Sequence, residues 1–113
     1  MPVIGQPAPQ FTCQACMDGG EFKDISLSDF KGKWVVLFFY PLDFTFVCQT
    51  EITQFRGRLK DFKEAGAQVI GASIDSVHSH KRWIKDDLKD LGYPLLGDVT
   101  KRVYRDYGVL LED

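Results

Sequence analysis

A continuous apolar run, Trp34-Val35-Val36-Leu37-Phe38-Phe39, stops at Tyr40-Pro41 and then gives way to a different period. From Cys48 the apolar residues Ile52, Phe55, Leu59 and Phe62 follow at steps of four, three, four and three. That is the stripe of one buried helix face. A buried strand that feeds a buried helix is a βα unit, and it argues against an all-helical chain or a β-sandwich. Cys48 falls in the first helical turn, where unpaired backbone N–H groups and the positive end of the helix dipole favour thiolate over thiol. The thiolate is the nucleophilic form.

The remainder of the chain alternates in the same way. Residues 2–9 hold Pro2, Pro7 and Pro9 and read as extended surface chain. Phe11 to Met17 and Glu21 to Ile25 flank Asp18-Gly19-Gly20, a hairpin signal. Ser26 to Lys33 reads as a short capped helical turn closed by Gly32. The buried strand 34–40 leads through Pro41–Val47 into a helix from Val47 to Ala65, with Gly66 as its C-cap. Ala67 to Ile74 is a second β-branched strand, and Asp75-Ser76 cap a helix running through Trp83, Ile84, Leu88 and Leu91 to Gly92. Tyr93 to Asp98 is a short extended segment, Thr100 to Tyr107 a short helix ended by Gly108, and Val109-Leu110-Leu111 a last extended piece. This order predicts a parallel βαβ core, strands 34–40 and 67–74 adjacent, with a hairpin before it. Cys48 then lies at the carboxyl end of a core strand, where open α/β sheets place their sites.

A length of 113 residues fits one domain spanning 1–113. A net charge of −2 gives no reason to expect nucleic acid or an anionic membrane as a partner. The longest apolar run is too short to span a bilayer. The segment Met1 to Pro9 lacks a basic stretch followed by an apolar core, so no signal peptide is expected. Three cysteines suit a reducing cytoplasm better than a disulfide scaffold.

The segment Phe38-Phe39-Tyr40-Pro41-Leu42-Asp43-Phe44-Thr45-Phe46-Val47-Cys48, with Thr50-Glu51 after it, resembles the active-site loop of the peroxiredoxins. The nearest group is their typical two-cysteine, alkyl-hydroperoxide-reductase-like branch. Further resemblance lies in Ile4 to Phe11, Phe22 to Asp29, Val69 to Ser76, His80-x-x-Trp83 and Arg105 to Leu110. The resemblance implies a thioredoxin-like α/β fold and a thiol peroxidase acting on hydrogen peroxide or small alkyl hydroperoxides. It also implies a thioredoxin-like thiol reductant, a homo-oligomer, and no metal, haem or flavin cofactor. Cys48 is then the peroxidatic cysteine, which becomes a sulfenic acid. Thr45 places a hydroxyl beside the sulfur, and Pro41, without an N–H, roofs the pocket. Glu51 matches the glutamate that orients an arginine in the family.

Two positions depart from the pattern. Gln49 stands where the branch has proline, at a helical position proline suits. The family arginine and resolving cysteine lie on segments that follow the Asp106-Tyr107-Gly108-Val109-Leu110 stretch, and Arg56, Arg58, Arg82, Arg102 and Arg105 match no such arginine. The expectation is of a family member truncated at its C-terminus, with one sheet edge and one face of strands 34–40 and 67–74 bare, that self-associates or pairs with a second polypeptide supplying the remaining strands.

Cys13-Gln14-Ala15-Cys16 has the C-x-x-C spacing of a dithiol or half a zinc site. On a strand, positions 13 and 16 point to opposite faces, so a structural role is the plainer reading. A resolving role for one of them, or zinc with His78 and His80, stays open. His78-Ser79-His80 opens a helix, where surface polar residues are expected, and His80 matches a family histidine read as structural. Trp83, Tyr93, Tyr104 and Tyr107 read as core and interface. Two other functions remain: a thioredoxin-like dithiol oxidoreductase using Cys13 and Cys16, and a non-catalytic assembly or holdase module.

Overall fold

The computed structural model describes residues 4–17, 20–40, 43, 46–85 and 91–109, with the side chains of residues 46–49 and 51 excepted. Strand β1 (Thr12–Cys16) pairs antiparallel with β2 (Phe22–Ser26), Thr12 opposite Ser26 and Cys16 opposite Phe22, so the predicted hairpin is present. A 3-10 turn (Leu27–Phe30) follows, closed by a capping box between Ser26 and Asp29. There the Ser26 N–H donates to Asp29 Oδ2 at 3.0 Å.

Strand β3 (Trp34–Phe39) then leads to helices α1 (Phe46–Gly57) and α2 (Leu59–Glu64) and strand β4 (Ala67–Ser73). Strands β3 and β4 are parallel neighbours in register from Trp34 opposite Ala67 to Phe39 opposite Ala72, as the apolar runs predict. Helix α3 (Val77–Trp83), strand β5 (Leu95–Gly97) and helix α4 (Arg102–Asp106) complete the described elements. The sheet order is β2-β1-β5-β4-β3, with β4 and β5 parallel and β1 and β5 antiparallel.

The alternation of a strand sends successive side chains to opposite faces, and two apolar layers result. One joins Val36, Phe38, Val69, Leu95 and Cys16 to the helices α1, α2 and α3 through Ile52, Phe55, Leu59, Phe62 and Trp83. The other joins Val35, Leu37, Ile70, Ala72 and Leu96 to α4 through Val103 and Tyr104. Phe38 stacks on Phe55 with ring centroids 4.5 Å apart, which ties β3 to α1.

Two expectations are corrected. The single helix over 47–65 is two helices, interrupted at Arg58 (φ −108°, ψ 10°). Gly57, a poor helix former, precedes the break, and the Arg58 N–H divides between the carbonyls of Gln54 and Phe55, each at 3.2 Å. Arg58 Nε then pairs with Asp61 Oδ2 at 3.1 Å in the next turn. The apolar stripe survives the break, and Gly66 ends α2 at φ +76° as expected of a C-cap. The run 34–39 is also less buried than its composition implies. Among the described residues β3 is an edge strand, with Trp34 78% exposed and Val35 to Phe39 half-buried.

Candidate active site

Tyr40 follows the last residue of β3 and is buried. Its N–H donates to the Ala72 carbonyl at 3.0 Å, which extends the β3–β4 ladder by one bond. From there the chain enters α1 at Phe46, and Cys48 is the third residue of that helix. The sequence places Cys48 in a first helical turn after a core strand; the backbone puts it in the first turn of α1, but the strand before it, β3, lies at the sheet edge among the described residues. Pro41 and Thr45 lie outside the described residues, and of Cys48 and Glu51 only the backbone in α1 is described.

Beneath this junction is a polar cluster centred on Asp43, to which sequence reasoning assigned no role. Asp43, 8% exposed, accepts from the Tyr40 O–H through Oδ1 at 2.7 Å and from the Ser79 O–H through Oδ2 at 2.8 Å. His80 Nδ1 lies 2.6 Å from the same Oδ2. His80 Nε2 lies 2.8 Å from the Leu96 carbonyl. A carbonyl only accepts, so Nε2 carries a hydrogen. The Asp43 N–H donates to Asp75 Oδ2 at 2.6 Å. Burial first, and then the Asp43 carboxylate, raise the ionisation of the Tyr40 hydroxyl far above its usual range, so it remains a donor. His80 is fully buried and hydrogen-bonded through both ring nitrogens, which agrees with the structural role read for it and not with the surface position expected at a helix start; His78 beside it is exposed. Ser76 caps that helix, as expected, by accepting from the Ser79 N–H at 3.2 Å.

The C-x-x-C pair is not a dithiol site. Cys16 is fully buried in the layer of α1 to α3, whereas Cys13 packs toward the α4 layer. Burial, then the Asp98 and Asp24 carboxylates, push the Cys13 thiol up from 9.0 to about 11. Burial raises Cys16 as well, against a lowering influence of Lys81. Among the described residues no three His, Cys, Asp or Glu side chains gather as metal ligands, so zinc at Cys13 and Cys16 has no further donors there. Cys13 instead lines a cavity of about 630 Å³ with Thr12, Gly97, Asp98 and Arg102, on the opposite layer from α1.

No helix among the described residues is long and apolar enough to cross a membrane. A mixed α/β sheet with a cysteine in the first turn of the helix that follows a parallel strand is a thioredoxin-like arrangement. The AhpC/TSA family profile matches residues 4–113, and the chain belongs to that family. It is a homologue of the typical two-cysteine peroxiredoxins. The chain is 54% identical over 115 residues to peroxiredoxin-2 of Macaca fascicularis, a match that covers 97% of this chain and 58% of that protein. The solved structure of the reduced 2-Cys peroxiredoxin of Plasmodium vivax superposes with a TM-score of 0.90 at 40% identity, over 97% of this chain and 71% of that one. Thioredoxin peroxidase I of Plasmodium yoelii superposes with a TM-score of 0.87 at 40% identity, over 93% of this chain and 64% of that one.

Proposed function

We propose that the chain carries the peroxidatic half-site of a thiol peroxidase, with Cys48 as its nucleophile. The observation that carries this reading is the backbone position of Cys48, third in α1 at the carboxyl end of β3, in a chain of the AhpC/TSA family. The thiolate attacks one peroxide oxygen, forming a sulfur–oxygen bond as the oxygen–oxygen bond breaks. The second oxygen leaves as hydroxide or alkoxide and takes up a proton, and Cys48 is left as sulfenic acid. Sulfur supplies the electron pair, so the step calls for no metal, haem or flavin. Thr45 hydrogen-bonds the peroxide, Pro41 shields the pocket, and Glu51 orients a cation toward the sulfur.

A thiol then attacks the sulfenic acid, releasing water and leaving a disulfide, and a second thiol restores Cys48. The name of the Plasmodium yoelii relative supports a thioredoxin-type reductant. Hydrogen peroxide or a small alkyl hydroperoxide as substrate, a homo-oligomeric state and a cytoplasmic location belong to the same reading. Peroxide consumption with a thiol reductant tests it. Cys48→Ser abolishes turnover, whereas Cys13→Ser and Cys16→Ser retain it; turnover that survives Cys48→Ser overturns the assignment.

A further inference from the structure

A carboxylate removed from water is costly unless it is paired and fully hydrogen-bonded, and an apolar residue often packs in its place at no loss of stability. Asp43 is nevertheless buried at the mouth of α1, with both oxygens engaged: Oδ1 by Tyr40, Oδ2 by Ser79 and His80. Its N–H is engaged as well, by Asp75. These partners come from the end of β3, from α3 and from the turn before α3, so they tie one residue to three places on a rigid frame.

Only Phe44 and Thr45 stand between Asp43 and Phe46, the first residue of α1. At 3.8 Å per Cα step, that tether keeps the start of α1 within about 11 Å of the Asp43 Cα. The helix is fixed a second time by Tyr93, whose O–H donates to the Ile52 carbonyl at 2.8 Å between two fully buried residues. Cys48 thus lies between two fixed points, five residues after Asp43 and four before Ile52.

We propose that Asp43 is a positioning residue for Cys48, holding the start of α1 in the place from which the sulfur attacks peroxide in line. His80, Ser79 and Tyr40 act by holding Asp43. The inference rests on Cys48 being the peroxidatic thiol.

The test compares two reactions of Cys48 in the full chain: single-turnover oxidation by hydrogen peroxide and alkylation by iodoacetamide. In-line attack on an oxygen needs the sulfur and both peroxide oxygens aligned, whereas alkylation needs the thiolate and little alignment. A misplacement of 1 Å costs roughly 100-fold in an aligned reaction, so Asp43→Ala lowers the peroxide rate about 10- to 100-fold and alkylation by less than about 3-fold. Asp43→Asn falls between, and Ser79→Ala lowers the peroxide rate about 2- to 5-fold. If Asp43→Ala fails to fold, Asp43→Asn and Ser79→Ala decide the question in the same way. A ratio of the two rates unchanged across the folded variants, with Cys48→Ser inactive, overturns this inference alone. Peroxide turnover that survives Cys48→Ser overturns it together with the assignment of the nucleophile.

Discussion

Cys13 and Cys16 sit on opposite faces of β1, Cys16 in the layer that holds Trp83 and Tyr93, Cys13 in the layer under α4. The thiols are three residues apart in sequence and separated by the thickness of the sheet. Both ionise above the usual cysteine range. At pH 7 both therefore alkylate more slowly than Cys48, and mass-spectrometric mapping of a brief iodoacetamide pulse checks this. Early label on Cys13 or Cys16 would contradict it.

The Cys13 thiol also links stability to pH. Its folded pKa of about 11 lies above its ordinary 9.0, so the folded state favours the protonated thiol. That contribution is complete below pH 9 and disappears as pH rises toward 11. Urea midpoints between those limits fall more steeply for the wild type than for Cys13→Ala. Parallel curves would refute the assignment.

Gly71 lies in β4 where a side chain has no room. A Cβ there would stand 2.7 Å from Leu95 Cδ2 and 2.9 Å from Phe38 Cζ. Gly71→Ala is expected to lose about 1–3 kcal/mol through overpacking, read as a lower urea midpoint with unchanged slope.

Asp98 caps α4 from across the preceding turn, accepting from the Val103 N–H at 3.2 Å and the Tyr104 N–H at 2.8 Å. Asp98→Ala removes the carboxylate that accepts from these two helix-end N–H groups and costs about 1–2 kcal/mol. Hydrogen exchange at Val103 and Tyr104 should speed up more than exchange in β4. Equal acceleration in both places would mean that Asp98 matters only globally.

The two tryptophans report on different parts of the fold. Trp34 is 78% exposed at the start of β3 and Trp83 is fully buried. Trp34→Phe leaves an emission that is blue-shifted and resists acrylamide. A residual spectrum like that of free tryptophan would place Trp83 in solvent.

Much of this architecture is legible in the sequence because it is written in periods. The runs at 34–39 and 67–73 and the stripe from Ile52 to Phe62 settle strand, helix and pairing. The Asp43 cluster is not, since its partners Asp75 and His80 lie 32 and 37 residues further on. Within its own segment Asp43 is one polar residue among apolar ones, with no period to betray its burial. The exposure of Trp34 escapes sequence reading for another reason: an apolar run looks the same in an edge strand as in a central one. Of the candidate site, the motif locates Cys48 on α1, and the side-chain roles of Pro41, Thr45, Cys48 and Glu51 rest on the proposed function.

The position of β1 between β2 and β5 has a bearing on how the chain acquires its shape. The β1–β2 hairpin is local and can close within microseconds, but a two-stranded hairpin alone is marginal in water. Its second neighbour is β5, with Ala15 opposite Leu96, near the far end of the matched sequence. On a ribosome the hairpin emerges before β5 and waits, its inner edge unsatisfied, until β3, β4 and β5 have been made. The parallel pair β3–β4 must likewise await the two intervening helices. Contacts of such long span slow folding, so this is a chain whose early intermediates present open strand edges until β5 follows.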